Sequence, residues 1–99
     1  MGKRKIIIRE SAAESIAEAS FFIESKGMAA TAEKFSDAVY DAIATLADNR
    51  IIHANCREPE RNLIGLKCAP FRKKYTIVFF ESHEEIIIHE FLPAKMIHW

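Results

Sequence analysis

Positive side chains crowd one stretch of this chain. Between Arg57 and Lys74 the cations Arg57, Arg61, Lys67, Arg72, Lys73 and Lys74 face only Glu58 and Glu60. Farther on, Lys95 and His98 add a cation and a titratable imidazole just before Trp99. Clustered cations beside an imidazole are suited to holding an anion or an RNA backbone. Over the whole chain 14 basic residues balance 14 acidic ones, so any such attraction is local. The acids, among them Glu10, Glu14, Glu18, Glu24, Glu33, Asp37, Asp41 and Asp48, collect in the first half. The same lysines and arginines would also serve as solvated strand-edge charges that discourage edge pairing.

The elements that must position these groups are legible from periodicity. Tyr75–Phe80 and Glu85–Phe91 are β-branched and aromatic runs on either side of Glu81-Ser82-His83-Glu84, the pattern of a β-hairpin. Alternation places Tyr75, Ile77 and Phe79 on one face and Thr76, Val78 and Phe80 on the other, with Tyr75 expected in the core and Pro93 ending the run. Arg72-Lys73-Lys74 enters this hairpin and the Lys95–Trp99 tail leaves it. Leu63–Ala69 reads as a weaker strand with a bend at Gly65 and an end at Pro70. At the other terminus Ile6-Ile7-Ile8 marks a strand whose unbroken apolar run predicts burial on both faces.

Between these strands two helices are expected. Ser11 and Glu14 form a capping-box pattern ahead of a helix over Ala12–Lys26, with Ile16, Ser20 and Ile23 on its apolar face and Gly27 as its stop. Ala32, Phe35, Val39, Ala42, Ile43 and Leu46 then follow the three-and-four spacing of a second helix, from about Ala29 to Ala47. So short a link predicts an antiparallel helical hairpin. Asp48–Asn62 reads as a long irregular connection, a kind of segment that often carries function. The order β-α-α-β-β-β implies one α+β domain over residues 1–99, a helical pair packed on a largely antiparallel sheet.

Composition excludes several classes. Hydrophobic residues at 49% and charged residues at 28% are those of a globular chain. No apolar run approaches the roughly 20 residues of a membrane helix, so no membrane role is expected. The opening Met1–Ile8 starts like a secretory leader, but it stops at Arg9-Glu10 without a small-residue cleavage site, and a cytoplasmic setting is the expectation. There Cys56 and Cys68 are expected to be reduced and structural. A zinc site from His53, Cys56, Cys68 and a later histidine has irregular spacing and no second close pair, so no metal or other cofactor is expected. His89, between Ile88 and Glu90, reads as a packed or partner-bonded strand residue, and one of Phe21 and Phe22 must leave the helix face.

These elements, with the closing pattern KCAPFRKKYTIVFF…EEIIIHEFLPAK, resemble the RelE/ParE superfamily of bacterial toxins over nearly the whole chain. The resemblance implies the toxin of a type II toxin–antitoxin (plasmid stabilization) module, neutralised by an antitoxin segment that wraps it. A homodimer or a heterotetramer with the antitoxin are the assemblies to expect. Two activities occur in the superfamily: metal-independent cleavage of ribosome-bound mRNA, and inhibition of DNA gyrase without nuclease chemistry. For cleavage, the resemblance assigns Lys67 and Arg72 to the phosphate and His98 to proton transfer, with Arg61, Lys73, Lys74 and Lys95 as phosphate contacts. One position departs from the pattern. RelE-like members carry an arginine after the aromatic that opens the third strand, and here Tyr75 is followed by Thr76, which cannot replace a guanidinium. An inactive, protein-binding scaffold of the same fold is the alternative reading.

Overall fold

The computed structural model describes residues 4–48 and 53–96. Strand β1 (Lys5–Ile8) leads into helix α1 (Glu10–Glu24), and helix α2 (Ala29–Leu46) returns antiparallel to it. After a short helix α3 (Pro59–Leu63) come strands β2 (Lys67–Phe71), β3 (Tyr75–Glu81) and β4 (Glu85–Pro93), then a 3-10 turn over Ala94–Met96. The sheet order is β1-β4-β3-β2. Both β2–β3 and β3–β4 are antiparallel, whereas β1 lies parallel to β4 from Lys5↔Glu85 to Ile8↔Ile88. The α1–α2 hairpin is thus the crossover that a parallel pair requires. No helix among the described residues is long and apolar enough to cross a membrane.

Local chemistry sets the element ends, and in places it differs from the expected pattern. Helix α1 starts at Glu10 with Arg9 as its uncapped N-cap, so Ser11 sits inside the first turn and the capping box does not form. Instead the Ser11 carbonyl accepts from Ser15 Oγ at 3.1 Å. At the other end Gly27 takes φ +81° and donates its N–H to the Glu24 carbonyl. An added Cβ there would meet nothing within 4 Å, so the left-handed backbone is what calls for glycine. Ser20 Oγ donates to the Ala32 carbonyl at 3.2 Å and ties the two helices together. Helix α2 buries Ala32, Phe35, Val39, Ile43 and Leu46, the stripe its spacing predicts.

The helices cover one face of the sheet. Ala12, Ile16, Phe35, Val39, Ile43, Phe71, Ile77, Phe79, Ile86, Ile88 and Phe91 make the main core there, and Tyr75 packs against it. Strict alternation would put Glu90 beside Ile86 and Ile88. A bulge in β4 prevents this: Val78 pairs with Glu90 and Phe79 with Ile88, leaving His89 without a partner residue. The extra residue resets the parity, so Phe91 rejoins Ile88 in the core while His89 and Glu90 fall on the outer face. Strand β1 is an edge, not the interior strand its isoleucines suggested; Ile6 and Ile8 pack on the main core and Ile7 is half-buried.

The outer face has a smaller core of its own, built from Cys56, Leu66, Cys68 and Val78 with Phe80 and Leu92 against them. Cys56 and Cys68 are joined in a disulfide, which corrects the expectation of reduced thiols and removes both from any zinc site. Gly65, at φ +82°, terminates α3 rather than bending a strand; its N–H donates to Asn62 and that of Leu66 to Arg61. Pro70 lies within β2 and does not end it, because an edge strand tolerates the missing N–H. At the bottom of the sheet the Arg4 guanidinium donates to the carbonyls of Leu46, Asp48 and Ser82 and pairs with Glu81 at 3.0 Å. It thereby satisfies carbonyls left over at the α2 C-terminus.

Candidate functional site

The β2–β3 connection presents three consecutive cations. Lys74 N–H donates to the Phe71 carbonyl at 3.2 Å, and the two residues between them, Arg72 and Lys73, have φ of +54° and +63°. Paired left-handed residues match the twist of a hairpin, but the usual occupants are Asn and Gly. Two long side chains there cost about 1–2 kcal/mol each. The Arg72 guanidinium rests over the Phe71 ring, 5.2 Å from its centroid.

Ala94 N–H donates to the Lys74 carbonyl at 2.7 Å and pins the 3-10 turn to the hairpin tip. As a result Lys73, Lys74 and Lys95 line one open groove with Tyr75, Pro93 and Ala94, and among the described residues no carboxylate shares its walls. A neighbouring groove runs between α1 and β4, lined by Ser15, Glu18, Ala19, Phe22, Tyr75, Phe91, Leu92 and Pro93. Tyr75 and Pro93 belong to both, so an apolar trough opens directly into a cationic one. Phe21 and Phe22 are both well exposed on α1, at 68% and 59%, where only one was expected to be. Lys26 lies over the Phe22 ring at 4.5 Å.

The expected site residues fall into separate groups. Lys73, Lys74 and Lys95 come together at the groove, with Arg72 on the same turn. Lys67 does not join them: it pairs with Phe79 in the register, four residues from Phe71 and about 13 Å along the strand. Its Nζ donates to Asn55 Oδ1 at 2.6 Å. Arg61 is held by Glu58 and by Glu90, the latter at 2.6 Å, so two carboxylates already answer its charge. His98, with Trp99, lies outside the described residues. Thr76 is fully buried on the outer face, with no hydrogen-bond partner for its hydroxyl. The position after Tyr75 is therefore closed off from solvent on the opposite face of the strand and takes no part in lining the groove.

Reading the sequence did not find the trough, because its walls come from α1 and β4, far apart in the chain and adjacent only in space. Nor did it find the outer-face chain of polar groups. Arg9 Nη1 lies 2.6 Å from His89 Nδ1, which makes His89 the partner-bonded strand residue expected of it. Among the described residues no three His, Cys, Asp or Glu side chains converge as a metal-holding group.

No protein-family model matches the sequence, and no curated protein matches it significantly. Its fold is nonetheless found among solved structures. A chain of the chromosomal ParDE TA system from P. aeruginosa superposes with a TM-score of 0.77 at 12% identity, covering 95% of this chain and 99% of that one. Identity that low carries the architecture and not the residues of a site. The helical hairpin on a four-stranded, mostly antiparallel sheet is the RelE/ParE-like α+β fold.

Proposed function

We propose that this chain is the toxin of a type II toxin–antitoxin pair, acting in the cytosol by binding its target rather than by cutting RNA. The observation that carries the reading is the groove lined by Lys73, Lys74 and Lys95 that opens from an apolar trough on a RelE/ParE-like frame. An extended antitoxin segment with apolar side chains followed by acidic ones fits that surface: apolar groups against Ala19, Phe22 and Leu92, carboxylates against Lys73, Lys74 and Lys95. The separation of Lys67 from the hairpin tip and the enclosed Thr76 favour a ParE-like, gyrase-directed action over mRNA cleavage. Purified protein added to DNA gyrase should block supercoiling and leave ribosome-bound mRNA uncut. Cleavage on ribosomes without effect on gyrase would reverse the assignment, and no effect in either assay would favour the scaffold reading.

A further inference from the structure

Residues 53–66 start along the free edge of β2, where Asn55 bridges Lys67, and continue to the small outer core as a strip held down by little apolar surface. Helix α3 contributes no buried residue, and its last residue Leu63 and the C-cap Ile64 are 88% and 56% exposed. The strip is anchored by Cys56 and Leu66, both buried in the small outer core, and at its start by His53, whose ring meets that of Phe79 edge-to-face and lies 3.7 Å from the Glu81 carboxylate. Backbone bonds run from Cys56 N–H to Leu66 and from Cys68 N–H to Ala54, and Asn62 Nδ2 donates to the Cys56 carbonyl. Arg61 adds its pairs to Glu58 and Glu90. The one covalent tie is Cys56–Cys68, across a separation of 12 residues. Neither cysteine touches the main core under the helices.

We propose that the Cys56–Cys68 bridge is a redox latch whose reduction frees the 53–66 strip from the sheet while the helix-covered core stays folded. Closing a loop of this size in the unfolded or opened chain is where a disulfide contributes most of its effect, and segments with few buried contacts open first. The cytosolic setting proposed above keeps most thiols reduced, so a bridge there is one that forms and breaks. At 4% and 0% exposure the Cys68 and Cys56 sulfurs become reachable only as the strip opens briefly. A thiolate of a dithiol reductant then attacks Cys68 Sγ, and Cys56 Sγ leaves as a thiolate and takes a proton. The second thiolate of the reductant displaces Cys68 Sγ, which takes another proton. The protein gains two electrons and the reductant becomes a disulfide. Leu92 packs in the outer core and also walls the apolar trough, so the trough is altered when the latch opens. The latch rests on the cytosolic setting of the toxin reading but not on the toxin's target, and the exchange experiment reads it without either activity assay.

Hydrogen exchange read by mass spectrometry on the purified full chain, with and without dithiothreitol, tests this. Without reductant no free thiol should titrate. With it both should, and exchange across 53–66 should rise by roughly tenfold to a hundredfold. Exchange in α1, α2 and the β3–β4 centre should stay unchanged, and a Cys56→Ala/Cys68→Ala variant should reproduce the reduced pattern without reductant. The proposal is overturned by free thiols in the untreated protein, by a bridge that dithiothreitol leaves closed, by unchanged strip protection after both thiols are titrated, or by exchange that rises along the whole chain.

Discussion

Tyr75 lies stacked on Phe91, ring centroids 4.9 Å apart and planes 13° from parallel, with the edge of Phe35 against both. This pair is at once part of the aromatic core and part of the apolar trough's wall. The surface proposed to meet an antitoxin therefore shares these two side chains with the core beneath it. Removing one ring separates the two roles. Phe91→Ala should cost about 3–5 kcal/mol, whereas Tyr75→Phe keeps the stack and should stay within about 1 kcal/mol of the parent. Urea unfolding of the two variants measures the difference.

The strained turn gives a prediction with opposite signs for stability and action. Replacing Arg72 and Lys73 by Asn and Gly supplies residues that accept φ of +54° and +63° readily. The double variant should be more stable by up to about 2–4 kcal/mol, the relief at the two positions together, and yet less toxic, since it removes two of the three cations of the tip. A variant that melts no higher than the parent would show that the turn holds no such strain.

Thr76 separates the fold's demands from those of nuclease chemistry. Its hydroxyl is fully buried without a partner, so Thr76→Val should leave stability unchanged or raise it by about 1 kcal/mol. Thr76→Arg should destabilise by about 3 kcal/mol or more, through a charge forced into an apolar enclosure. It should not confer ribosomal cleavage. Thermal melts and an mRNA cleavage assay read the two parts.

Arg61 was expected among the phosphate contacts, and here it is paired with Glu58 and Glu90, which makes a structural role testable. Arg61→Ala leaves Glu90 and Glu58 without their shared cation, both partly buried, and should cost about 1–2 kcal/mol. Growth inhibition at equal soluble protein should not change. A loss of toxicity without a loss of stability would return Arg61 to the functional surface.

Much of the frame was legible because it rests on local periodicity. The Phe35, Val39, Ile43 and Leu46 stripe, Gly27, and the alternation of Tyr75, Ile77 and Phe79 each stand where spacing placed them. What escaped the sequence depends on contacts between distant segments. The edge position of β1 follows from its parallel pairing with β4, which an isoleucine run does not encode. The bulge at His89 shows only when β3 and β4 are laid side by side. The Cys56–Cys68 bridge needs the 53–66 strip folded back on β2, a step no cysteine spacing reveals. Of the expected cations, the lysines beside one another in sequence stayed together, while Lys67 and Arg61 were taken by Asn55, Glu58 and Glu90.

Charge reversal in the groove separates a functional surface from an incidental cluster of lysines. Lys73→Glu/Lys74→Glu/Lys95→Glu changes exposed side chains only, so the folded protein should melt close to the parent. Induced expression of the parent chain should arrest bacterial growth, and the triple variant at the same soluble level should not. Growth arrest undiminished by the reversal would contradict the account.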